Sequence, residues 1–155
     1  MTDPYDPTHH DTVFVMDPGD VHVGCCVMDD KNGYILWADE LPPSAIPDEL
    51  RRVNPKVVVV ESFHLRPNKA KVQSFSKMET SQLIGTIKEV AREIGAKIVE
   101  QQPSVRMVGK ASPWARRLQA QGAMPGNRHT RDAVWHAIYY YRFNSKNPRN
   151  KKGKS

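Results

Sequence analysis

The chain has 155 residues, 39% hydrophobic and 26% charged, the proportions of one soluble globular domain able to bury its own core. No apolar run nears the ~20 residues that span a bilayer, so a protein of the cytoplasm without membrane contact is expected. Lys and Arg number 23 against 17 Asp and Glu, a net charge of +6, and the excess is local: Arg142, Lys146, Arg149, Lys151, Lys152 and Lys154 form a terminal run without an acid. Residues 1–141 are balanced at 17 basic and 17 acidic, and residues 1–11 carry two Asp-Pro pairs and no periodicity, so a disordered N-terminus (1–11), a folded domain (12–143) and a flexible basic tail (144–155) suited to phosphate-rich partners are expected.

The apolar run Val13 to Met16 predicts a central strand that ends on a carboxylate, Asp17, and turns at Pro18 and Gly19. A second strand is expected over 22–29. Its adjacent Cys25 and Cys26 point to opposite faces as core thiols. The Asn32-Gly33 pair signals a hairpin into a third strand from Tyr34 to Ala38, so the chain opens as an antiparallel meander. After a proline-rich connection with a short helix near 47–53, four consecutive valines, Val57 to Val60, read as a strand buried on both faces. It also ends on an acid, Glu61, and parallel strands would bring both carboxylates to one edge of the sheet.

The stretch after Glu61 is basic with interleaved aromatics, including Phe63, Arg66, Lys69 and Lys71. Cations for phosphates and rings for unstacked bases make it a nucleic-acid-facing segment. Apolar residues at helical spacing predict a helix over 78–94, closed by Gly95, and Lys97 to Glu100 reads as a fifth strand. A shorter helix is expected near 112–121 in a region where Arg106 and Lys110 are candidate phosphate contacts. The last helix is expected over about 129–143. It places His129, Asp132 and His136 on one face, with Asp132 in the first turn, where the helix dipole favours a carboxylate.

Asp17, Glu61 and Asp132 are far apart in sequence, but two strand ends and a helix start can converge. Such hard oxygen donors suit Mg²⁺, with Mn²⁺ as substitute, and not structural zinc. Two ions so held activate water on one side of a phosphodiester and stabilise the leaving oxygen on the other. His129 is a candidate mixed ligand or proton donor. His136 lies one turn further along and reads as a supporting histidine.

The strand ending Asp17-Pro18-Gly19, the valine strand ending at Glu61, the Val108-Gly109-Lys110-Ala111 segment and the His129-x-x-Asp132-Ala133 helix together resemble the RuvC family of Holliday-junction resolvases, RNase H-like nucleases. The resemblance runs in order over residues 12–143. It implies an α/β, RNase H-like fold, a five-stranded mixed sheet flanked by helices. It also implies a homodimer that binds four-way DNA junctions and makes paired nicks with two Mg²⁺ ions per site. By position, Asp17, Glu61, Asp132 and His129 match its metal ligands and catalytic residues, and Phe63 is the nearest match to its junction-centre aromatic. The short first connection suggests a divergent, bacteriophage-type branch.

Three other readings stand beside it. The same chemistry suits an RNA–DNA hybrid, flap or fork. A non-catalytic DNA-binding protein explains the basic tail but not the carboxylates at strand ends. The Asp-Pro-Gly turn is also found in sugar-kinase and actin-like ATPases, which need two lobes where this length allows one.

Overall fold

Thr12–Pro18 (β1) is the middle strand of a five-stranded sheet. It pairs antiparallel with Val23–Asp29 (β2), which pairs antiparallel with Ile35–Leu41 (β3). On its other side it runs parallel to Val57–Glu61 (β4), itself parallel to Lys97–Gln101 (β5). The helices are Ile46–Val53 (α1), Ser74–Glu93 (α2), Val105–Ala111 (α3), Pro113–Ala120 (α4) and Arg128–Tyr139 (α5), the last running into a wider π-helical turn, Tyr140–Asn144. This computed structural model describes residues 11–18, 21–62, 74–122 and 124–144. The N-terminal segment before Asp11, the basic segment from Phe63 to Gln73 and the tail from Ser145 lie outside them.

Strand alternation divides the core into two layers. Phe14, Met16, Cys25, Val27, Val58 and Val60 meet α1 and α2 through Ile46, Leu50, Val53, Leu83, Ile87 and Ala91. Val13, Val15, Cys26, Met28, Val57 and Val59 meet α4 and α5 through Ala115, Ala133, Val134, Ala137 and Ile138. The four valines of β4 are thus buried on both faces, two in each layer, and the two free thiols are divided between the layers.

Several boundaries differ from expectation for local reasons. β3 continues to Leu41, and α2 begins four residues before Met78. The expected helix at 112–121 is preceded by a separate one, α3. Pro113 holds Ser112 extended (φ −65°, ψ 142°), and the Ser112 hydroxyl accepts the Trp114 N–H at 3.2 Å as the cap of α4.

α5 lies very close to the sheet and to α3. A Cβ on Gly24 would run into the His129 carbonyl, and a Cβ on Gly109 into that of Trp135. Both glycines are required by backbone approach, and the first sets where the N-terminal end of α5 sits over β2. Gly24→Ala should therefore cost about 1–3 kcal/mol or more in urea unfolding, because backbone has to move. Gly85→Ala, on the exposed side of α2 with nothing near its Cβ position, should gain up to ~1 kcal/mol.

Candidate active site

The parallel register between β1 and β4 pairs Met16 with Val60 at its end, so Asp17 and Glu61 are the next residues on neighbouring strands. Val15 and Val59 face the α5 layer, and a period of two puts Asp17 and Glu61 on that same face. The register between β4 and β5 sets Gln101 beside Glu61. Three strand ends therefore present Asp17, Glu61 and Gln101 in a row beneath α5. Gly24 is the partner of Asp17 on β2, so the close approach it allows brings α5 over Asp17.

α5 completes the cluster. Asp132 lies a turn inside the helix and not in its first turn, because Asn127 caps the helix by accepting the Thr130 N–H at 2.9 Å and Arg128 begins it. Asp17, Glu61, His129 and Asp132 line one cleft of about 510 Å³ together with Pro18, His22, Arg106 and Arg128. The four residues expected to carry the chemistry are thus brought together.

Arg106 enters the cluster from α3, a role its sequence position did not suggest. Its Nη1 donates to Asp132 Oδ2 at 2.7 Å, its Nε donates to the Pro103 carbonyl at 3.1 Å, and Nε lies 3.5 Å from Glu61 Oε2. Burial lowers its pKa, but the charges of Glu61 and Asp132 outweigh that and raise it. Lys110, the other expected phosphate contact on this side, holds its Nζ 5.3 Å from the Trp135 ring centre. With Arg106, Arg128 and Arg131 it lines a second hollow of about 630 Å³ that shares Arg106, Arg128 and Asp132 with the first. Phe63, Arg66, Lys69 and Lys71 lie outside the described residues.

The charge balance of the cleft is unfinished. Burial, then the charges of Glu61 and Asp132, push the Asp17 carboxyl up to about 8 against the opposing pull of Arg106. Burial also raises Glu61, but the hydrogen bond and charge of His136, followed by the charge of Arg106, leave it lowered overall. The two neighbouring acids are thus pushed apart, Asp17 toward holding a proton and Glu61 toward the ionised form. His129 Nδ1 is 3.5 Å from Asp17 Oδ2, and this buried nitrogen has no hydrogen-bond partner.

Among the described residues no three His, Cys, Asp or Glu side chains close on one point as a metal cage, and the Arg106 guanidinium bridges Glu61 and Asp132. The donor set nevertheless fits a hard divalent cation. Three carboxyls and an unpartnered imidazole nitrogen face one cleft, and a cation would relieve the repulsion that adds to burial in raising the Asp17 carboxyl.

A raised carboxyl pKa makes folded protein bind a proton that unfolded protein has lost. Between the ordinary Asp value of 3.8 and about 8, stability should therefore fall as pH rises. In chelator, urea unfolding from about pH 5 to about pH 8.5 should show a loss on the order of a few kcal/mol. Asp17→Asn should flatten the profile, converging with wild type toward low pH, where both states of wild type are protonated.

No protein-family model matches the chain, and no curated protein matches it in sequence. Solved structures do. Thermus thermophilus RuvC in complex with Holliday junction substrate is similar at 19% identity and a TM-score of 0.65, over 88% of this chain and 98% of that one. A second structure of Thermus thermophilus RuvC is similar at 20% identity and a TM-score of 0.58, over 86% and 97%. The five-stranded sheet, its opening antiparallel meander and its flanking helices give this chain the RuvC-like, RNase H-like fold that its sequence resembles.

Proposed function

We propose that the protein is a metal-dependent, structure-selective DNA endonuclease that resolves four-way junctions by paired nicks and acts as a homodimer. The observation that carries this reading is the convergence of Asp17, Glu61 and Asp132, from two strand ends and a helix, on one cleft beside a basic hollow. The similarity in fold to RuvC bound to Holliday junction substrate supports the choice of branched DNA.

Each residue has work that its position explains. Asp17, Glu61 and Asp132 would hold Mg²⁺, two ions per site, with Asp17 giving up its proton on binding. Divalent ions supply Lewis-acid polarisation of the phosphodiester and acidification of water at such a site. His129 offers its Nδ1 on the Asp17 side as a ligand or as a donor to the departing oxygen. Arg106 offsets carboxylate charge in the resting cluster, and its guanidinium can turn to a phosphate oxygen when a cation takes Glu61 and Asp132. Lys110, Arg128 and Arg131 flank the cleft and suit the phosphates of the strand leading away from it.

The carboxylates also speak against a purely DNA-binding role. Buried acids facing the bound strand repel phosphate unless a cation lies between them.

Purified protein with Mg²⁺ should nick a labelled four-way junction symmetrically, in preference to fork, flap, RNA–DNA hybrid and linear duplex assayed in parallel. Asp132→Asn and Glu61→Gln should each lower the rate by more than about 100-fold, as expected for ligands of the reacting ions. Preferential cutting of hybrid would replace the substrate, and full activity of Asp132→Asn would remove Asp132 from the chemistry. Lys110→Gln should weaken junction binding and reduce the slope of log affinity against log salt by about 1. Light scattering should find the dimer that paired cuts require.

A further inference from the structure

Behind the cleft, and away from solvent, Glu61 is held by a second set of side chains. His136 on α5 is fully buried, with its Nε2 2.7 Å from Glu61 Oε2 and its Nδ1 2.7 Å from Gln101 Oε1. Gln101 is itself buried, and its place is fixed by the end of the sheet. It is the β5 partner of Glu61, and its carbonyl accepts both the Ser62 N–H at 2.7 Å and the Ser62 hydroxyl at 3.1 Å.

The chemistry of the two contacts determines which way the hydrogen points. An ionised Glu61 only accepts, so the hydrogen between it and the ring sits on Nε2, while the Gln101 oxygen stands toward Nδ1. With the amide turned over, Gln101 donates to Nδ1, and Nε2 still carries a hydrogen. In either arrangement the Nε2–H donates to Glu61. The Arg106 Nε reaches the same oxygen only at 3.5 Å, so His136 is the closer anchor.

We infer that His136 and Gln101 are positioning residues that hold Glu61 by Oε2 and so orient its carboxylate toward a divalent cation in the cleft. Neither touches the reacting groups, and the inference rests on the metal-binding function proposed above. The physical basis is general: a carboxylate that must meet a cation in one geometry loses affinity when its outer hydrogen bond is removed, typically about 10–100-fold.

Two measurements on the full chain test it. Long-range ¹H–¹⁵N NMR of the metal-free protein should find hydrogen on Nε2 of His136; a ring with hydrogen only on Nδ1 would overturn the proposal, whether or not the protein is a nuclease. Mn²⁺ binding, followed by the electron paramagnetic resonance of the free ion, should weaken about 10–100-fold in His136→Phe, which fills the space without a donor. His136→Gln, whose amide N–H can reach Glu61, should stay within a few-fold of wild type. Gln101→Leu, which keeps the imidazole but loosens it, should fall between them and serves should His136→Phe not fold. Wild-type affinity in folded His136→Phe or in Gln101→Leu, or an equal loss in His136→Gln and His136→Phe, would overturn the role of this pair alone. A wild-type protein that takes up no Mn²⁺ would overturn the function proposed above, and the orienting role with it.

Discussion

The repulsion between carboxylates held side by side at the end of a parallel strand pair governs this structure. β1 and β4 keep register until Met16 faces Val60, and the next residue on each strand is an acid that points into the α5 layer. The site answers with graded compensation. Glu61 is held toward the ionised form by His136 and Arg106, Asp132 is paired with Arg106, and Asp17, hydrogen-bonded to neither, is pushed up to about 8. An array of this kind is short of positive charge, which a hard divalent cation would supply.

Placing α5 close enough to complete the cluster depends on what the neighbouring elements omit. Gly24 and Gly109 let the backbone of α5 approach β2 and α3, while Ala133 and Ala137 keep its inner side small. Those four positions set where His129, Asp132 and His136 stand. Packing and chemistry are therefore linked on one helix: each turn of its inner side alternates a small core residue with a polar one aimed at the strand ends.

The cleft is acidic inside and basic at its side. Under the proposed function, a phosphodiester drawn in by Lys110, Arg128 and Arg131 would meet the carboxylates only with cations between them, so the basic side chains would attract nucleic acid and the acids would make its entry depend on metal. Arg106 stands at the border between the two hollows and belongs to both.

The valine run ending at Glu61 and the Val13–Asp17 strand had to be buried on both faces, because runs apolar at every position cannot leave a face to water. Parallel strands then put Asp17 and Glu61 at one edge, so the sheet, the meander and the shared edge of these two acids were legible in the order of residues, while the arrival of Asp132 beside them was an expectation that the packing of α5 decided. Also legible were the core thiols and the α5 face carrying His129, Asp132 and His136. Local periodicity carries no distance between elements. The entry of Arg106 between two acids and the pairing of His136 with Glu61 both depend on how closely and at what angle a helix lies on its neighbours. Gln101 was within reach of the strand alternation, since it follows Val99 by two as Glu61 follows Val59, but only the β4–β5 register decides that those two residues stand side by side. Composition and spacing thus specified which chemical groups reach the sheet edge; the packing of α3 and α5 against it decided which of them carry charge, because that depends on burial and on separations of a few ångströms.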